Sequence, residues 1–178
     1  MYMRMQDISL TKHFKLSEFV ASRTAEKHGI DNTPPQEAVA NLRRLCEGCL
    51  EPLREQMGLP VVVTSGFRTK RLNDLLAHSS DRSQHMQGCA ADFHVAQGPV
   101  SGSKFQVSDL SRRELLMAAF KLILTSPEID FDQLILYPSF IHVSFVSKER
   151  NRRNILKARS DGKLGYGRLS LSSAMQIA

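Results

Sequence analysis

The chain has 178 residues, 42% hydrophobic and 24% charged, with a formal net charge of +6. That is the size and composition of one globular domain with room for a core, and no apolar run approaches the ~20 residues of a membrane span. Three cysteines, Cys46, Cys49 and Cys89, do not make a disulfide framework.

The first residues are polar and Met-rich, with no continuous apolar stretch of the signal-peptide kind, so cytoplasmic synthesis is the expectation. The run 14–20 (Phe-Lys-Leu-Ser-Glu-Phe-Val) is a short amphipathic helix candidate with Ser17 as N-cap. Thr33-Pro34-Pro35-Gln36 has the form of a capping box, with Thr33 as N-cap. Apolar residues then recur with helical spacing at Val39, Leu42, Leu45, Cys46, Cys49, Leu50, Leu53 and Met57. Pro52 should kink or split that helix, and Gly58 should end it. Cys46-Glu47-Gly48-Cys49 is formally CxxC, but it lies inside the helical pattern and reads as two half-buried helix cysteines.

Residues 60–65 (Pro-Val-Val-Val-Thr-Ser) predict a first strand, and 69–77 a short helix. A polar loop leads into Ser83-Gln84-His85-Met86-Gln87-Gly88, and 90–95 predicts a second strand holding Asp92. After a Gly/Ser-rich loop, Ser111-Arg112-Arg113-Glu114 is a second capping box that opens a helix to about 124. Residues 131–136 and 140–146 predict two more strands joined as a hairpin through Tyr137-Pro138-Ser139. Beyond 150 the pattern fades into a basic segment, so the expected division is a domain over 14–150 and a flexible tail over 151–178. The fold class is α+β, a small antiparallel sheet with helices packed around it.

One stretch carries chemistry. Asp92 lies within the apolar run Cys89-Ala90-Ala91-Asp92-Phe93-His94-Val95, where a carboxylate is costly unless a positive partner meets it. His142 lies in a second such run, Phe140-Ile141-His142-Val143-Ser144-Phe145-Val146. Strand alternation puts Asp92 on one face with Ala90 and His94, and His142 opposite Ile141, Val143 and Phe145. If the two runs are neighbouring strands, His85, Asp92 and His142 can share one metal ion. Two imidazoles and a carboxylate are a common catalytic zinc set that leaves a fourth position for water. Arg68, just after the first strand, suits a substrate carboxylate or an oxyanion. The net positive charge favours polyanionic partners such as wall polymers or a membrane surface, but no nucleic-acid-reading motif accompanies it.

Several motifs resemble, in order, those of the zinc D-Ala-D-Ala carboxypeptidase family, which includes related peptidoglycan endopeptidases. They are Phe14-x-Leu16-Ser17-Glu18-Phe19, Ile30-Asp31-Asn32-Thr33-Pro34-Pro35, Val63-Thr64-Ser65-Gly66-Phe67-Arg68-Thr69, Ser83-x-His85-x-x-Gly88-x-Ala90-x-Asp92, Phe131-Asp132-Gln133-Leu134-Ile135 and His142-Val143-Ser144. The resemblance implies a hedgehog-like α+β fold and one Zn2+ on His85, Asp92 and His142. It implies substrate contacts from Arg68 and Ser83, with Arg68 also stabilising the transition state, and a peptidoglycan peptide as substrate; a monomer is the expected state. Access to the cell wall would then come by lysis or a phage route. One departure stands out. The family usually places Glu or His a few residues before the last ligand histidine, whereas this chain reads Leu136-Tyr137-Pro138-Ser139-Phe140-Ile141-His142. Tyr137 occupies that place as the catalytic candidate. A free phenol with a pKa near ~10 is a poor base but a serviceable hydrogen-bond donor. Asp132 and His94 are the reserve acid/base groups. The remaining histidines, His13, His28 and His78, read as surface or structural.

Overall fold

A computed structural model describes residues 7–77, 79–98, 110–159, 164–165 and 168–177. His78, most of the Gly/Ser-rich loop, and parts of both terminal segments lie outside the described residues.

Among the described residues, six strands form one sheet in the order β1-β2-β4-β3-β5-β6. They are β1 (Val61–Ser65), β2 (Ala90–Val95), β3 (Gln133–Leu136), β4 (Ile141–Ser144), β5 (Asn154–Ala158) and β6 (Leu164–Gly165). β1, β2, β4 and β3 pair antiparallel, and β3–β4 is the expected hairpin. β5 joins β3 in parallel, which makes the sheet mixed within the α+β class.

The strand alternation sorts the side chains as their sequence pattern requires. Ala91, Phe93 and Val95 of β2, and Ile141 and Val143 of β4 with Phe145 beyond it, enter the main core. Among the described residues the α-helices are α1 (Leu16–Val20), α2 (Arg23–Lys27), α3 (Gln36–Leu45), α4 (Glu51–Met57), α5 (Lys70–Leu75), α6 (Arg112–Thr125) and α7 (Leu171–Ile177), and the strands' core residues meet α3, α4 and α6 through Leu42, Leu45, Leu53, Phe120 and Ile123. Asp92 and His142 point the other way, so the helices cover one face and the chemistry occupies the opposite one.

Local chemistry explains where the elements begin and break. Ser111 caps α6 with its hydroxyl on the Glu114 N–H, and Glu114 returns the bond to the Ser111 N–H. Pro52 cannot donate to Gly48 O, and that carbonyl accepts instead from the Asp130 N–H at 3.0 Å. The turn Cys46–Leu50 is correspondingly π-helical, with the Glu51 N–H bonded back to Cys46 O. Cys46 and Cys49 are fully buried there rather than half-buried, and burial pushes both thiols up out of the reactive range.

Three expectations are corrected. Ser17 lies inside α1 (Leu16–Val20) and bonds Asp7 with its hydroxyl, while Lys15 is the N-cap. Thr33 does not cap α3: its hydroxyl bonds Asp31, and Pro35 occupies the N-cap. The segment after residue 150 is not a loose tail throughout. It supplies β5, whose Ile155, Leu156 and Ala158 are buried, and α7 (Leu171–Ile177), whose Ala174 enters the core. β5 carries the exposed Lys157 and lies between Arg152-Arg153 and Arg159, so in sequence its short apolar run is submerged in the basic segment around it. Among the described residues, no helix is long and apolar enough to cross a membrane.

Candidate metal centre

Two neighbouring strands and one short turn build the site. β2 and β4 pair with Asp92 directly opposite His142. The 3₁₀ turn Gln84–Gln87 carries His85 beside them. Gly88 ends that turn at φ 69°, a left-handed conformation that favours glycine. A Cβ there would lie 2.4 Å from Ala38 O, so glycine also lets the turn sit against α3.

The three candidate ligand atoms converge. His142 Nδ1 lies 2.8 Å from Asp92 Oδ1, His85 Nε2 lies 3.4 Å from the same oxygen, and the two ring nitrogens are 3.3 Å apart. Ligand atoms on a tetrahedral zinc with bonds of 2.0–2.2 Å are about 3.3–3.5 Å apart, so two of the three edges already match. The donor set is also chemically right. His85 Nδ1 lies 2.6 Å from Gly66 O, which assigns its N–H to that carbonyl and leaves Nε2 with a lone pair aimed into the site.

Electrostatics favour an ionised Asp92 carboxylate beside a neutral His85 imidazole. Burial alone would push the Asp92 carboxyl up. The facing His85 and His142 outweigh it and hold Asp92 well below the usual carboxylate range. His85, 3% exposed, is pushed down chiefly by burial, with Asp92 opposing. That is the protonation state a metal requires.

Arg68 stands at the edge of this cluster. Its Nε and Nη2 donate to Ser65 Oγ at 3.1 and 2.9 Å, and Nη2 donates to Asp92 Oδ2 at 3.1 Å. The loop that carries it is pinned by a residue sequence reasoning missed as part of the site. Asn32 Nδ2 donates to Val20 O and Phe67 O, and its Oδ1 accepts from the Thr69 N–H. Asn32 belongs to one of the motifs that carry the resemblance, but nothing in the local pattern of its loop signals such a clamp.

The centre lies in a cleft of about 960 Å³ whose lining includes Ser83, Tyr137, Phe140 and Asp132. Tyr137 stacks on Phe140 with ring centroids 4.3 Å apart. Ser83 is the N-cap of the 3₁₀ turn, half-buried and facing the same cleft. His94, one of the reserve acid/base groups, lies toward β1 opposite Val62 and does not line the cleft. His13 bonds Glu51 at 2.5 Å, and the Thr11 hydroxyl donates to the other Glu51 oxygen, so this group ties the N-terminal segment to α4.

Asp132, the other reserve group, is 1% exposed and fully engaged. Oδ1 accepts from the Arg152 N–H and Nε, and Oδ2 accepts from Arg152 Nη2 at 2.5 Å and Gln84 Nε2 at 2.9 Å. Burial pushes its carboxyl up, and the Arg152 and Gln84 bonds more than reverse this. A carboxyl lowered by folding stabilises the fold above its unfolded pKa, and that contribution is lost as pH falls through the lower folded value. Asp132→Asn is therefore expected to cost about 1–3 kcal/mol at neutral pH, with zinc content unchanged. The difference from wild type should shrink below about pH 4, as read by thermal unfolding across pH.

No curated protein matches the sequence at a significant level. The family model Peptidase M15 matches residues 12–118, more than half of the chain. The match contains Arg68, Ser83, His85 and Asp92, and β4 brings His142 to them from beyond it. The motif order, the α+β sheet and this match agree, and the chain belongs to the peptidase M15 family, the zinc D-Ala-D-Ala carboxypeptidase-like metallopeptidases.

Proposed function

We propose that the protein is a zinc-dependent peptidase that hydrolyses peptide bonds next to D-amino acids in peptidoglycan. The observation that carries this reading is the convergence of His85 Nε2, Asp92 Oδ1 and His142 Nδ1 within 3.4 Å of one another in an open cleft. Zinc held by these three residues supplies Lewis acidity, which polarises a peptide carbonyl and lowers the pKa of water. The chain supplies the rest. Gly66 O orients His85, and Ser65 with Asp92 orients Arg68, whose guanidinium is aimed to meet an oxyanion or a substrate carboxylate. The Tyr137 phenol, stacked on the Phe140 ring in the same cleft, offers a second hydrogen bond to developing negative charge. Ser83, in the lining of the same cleft, contacts the substrate.

A second reading has its own support. Among the described residues, the carboxylates lining the cleft are Asp92 and Asp132. Asp92 belongs to the ligand set, and Asp132 has both oxygens engaged by Arg152 and Gln84. Among the described residues of the cleft no carboxylate is left over as a general base of the usual kind, which favours a zinc-containing wall-binding module with little or no hydrolysis. Mass spectrometry of a muropeptide digest separates the two. Cleaved products that vanish with chelator and return with added zinc support the peptidase. Stoichiometric zinc without product sinks it and keeps the binding module. In an active protein, Tyr137→Phe is expected to lower kcat about 10²–10³-fold with zinc content unchanged. Full activity in that variant would remove Tyr137 from the mechanism.

A further inference from the structure

A second cavity, of about 750 Å³, adjoins the metal cleft. Arg68 and Leu76 line both spaces, so the two meet along these side chains. The buried Phe67 and Leu72 form its floor. One wall is the end of β1, with Thr64 and Ser65, and the other is the start of α2, with Ser22 and Thr24. Apart from Arg68, which pairs with Asp92, its charged residues are Arg23 and Glu26, opposite in sign. The groove is therefore apolar at its base, hydroxyl-lined at its sides and close to neutral.

The sheet aims this groove at the metal centre. Ser65 pairs opposite Asp92, Asp92 opposite His142, and His142 opposite Ile135. The row crosses four strands, with neighbours about 4.8 Å apart. Ser65, at one end, lines the groove, and Ile135, at the other, lines the metal cleft. Asp92 and His142 thus stand between two open spaces rather than at the bottom of a blind pocket. β1 is also an edge strand, and its outer side pairs with no described strand. Such an edge offers N–H and C=O groups to an extended peptide. A space closed beyond the scissile bond takes the end of a chain, whereas one that runs on takes a chain that continues. Neutral walls of hydroxyl and apolar side chains suit peptide units better than a terminal charge.

We infer that the groove beyond Arg68 is a subsite for uncharged peptide chain continuing past the metal centre, which directs the centre to bonds inside a peptide rather than to the last bond at its carboxyl end. The inference rests on the peptidase reading of the centre and adds the class of bond it selects. A cross-linked muropeptide dimer and the uncross-linked pentapeptide monomer provide the probe. They are compared on the zinc-loaded full chain by kcat/KM with mass spectrometry of the products, and by calorimetric Kd where no hydrolysis occurs.

Wild type is expected to cleave interior bonds of the dimer with kcat/KM about tenfold or more above release of the terminal D-Ala from the monomer, because chain held in the groove contributes binding energy to the transition state. In Thr24→Trp, where the indole fills the groove, that ratio should collapse toward one. Glu26→Trp, on the same wall, should act alike and stands in if Thr24→Trp does not fold, as read by thermal unfolding. Lys27→Trp, exposed on the same helix but outside the lining, should keep the wild-type ratio. Terminal release as fast as interior cleavage, or an interior preference that survives in the folded groove-filling variants, overturns the subsite and keeps the peptidase. No hydrolysis, but tighter binding of the dimer that the groove-filling variants lose, rejects the peptidase and keeps the groove as a peptide site. A protein that shows neither hydrolysis nor a preference in binding rejects both.

Discussion

Asp92→Asn is expected to abolish both stable zinc binding and peptidase activity. Asn keeps the shape of the side chain and one carbonyl oxygen but removes the negative charge on which the site depends. In the native arrangement one carboxylate faces His142 Nδ1 at 2.8 Å, His85 Nε2 at 3.4 Å and Arg68 Nη2 at 3.1 Å. The two imidazoles are neutral ligands, so Asp92 is the sole anion of the set. It also offsets Arg68, a cation that burial already disfavours and that Asp92 sustains. Loss of a group that merely orients a ligand weakens metal affinity about 10–100-fold, and loss of a ligand charge should exceed that range. The variant should lose zinc on dialysis that wild type survives, and muropeptide cleavage should fall by roughly 10³-fold or more. Wild-type zinc affinity in Asp92→Asn would remove Asp92 from the centre.

Gly88→Ala is the second large effect, and it acts through the fold. Gly88 has φ 69°, and its missing Cβ leaves room for Ala38 O, which an alanine Cβ would meet at 2.4 Å. The neighbour is backbone of α3, which packs Leu42 and Leu45 into the core, so it cannot yield as a flexible side chain could. Left-handed strain costs roughly 1–2 kcal/mol, and the forced separation of the turn from α3 adds to it. The expected loss is about 3 kcal/mol, which for a domain of this size lowers Tm by roughly 6–12 °C. Because Gly88 follows the turn that carries His85, zinc affinity should weaken as well. A Tm within 2 °C of wild type would show that the turn stands clear of α3, contrary to the close approach described.

Much of this architecture was legible in the sequence because its signals are local. β-branched and alternating runs located β1, β2 and the β3–β4 hairpin, and the Ser111 box opened α6. The meeting of Asp92 with His142 was legible for a related reason. A carboxylate and a histidine in apolar strands have few satisfactory fates, and β2 and β4 do set the two opposite each other, with His85 beside them. What escaped was set by tertiary contact. Thr33 looked like a cap, yet Asp31 holds its hydroxyl and Pro35 starts the helix. β5 looked like tail because its pairing partner, β3, lies 21 residues earlier in register and runs parallel. The clamps by Asn32 and by Arg152 on Asp132 join segments that no local pattern connects.

The central claim is that His85, Asp92 and His142 hold one zinc. X-ray absorption at the zinc edge of the purified protein tests it most directly. The account predicts one zinc per chain, in a shell of nitrogen and oxygen at about 2.0–2.2 Å with no sulfur. A shell containing sulfur at about 2.3 Å, which would move the metal to the cysteines, or a protein that holds no zinc at all, would contradict it.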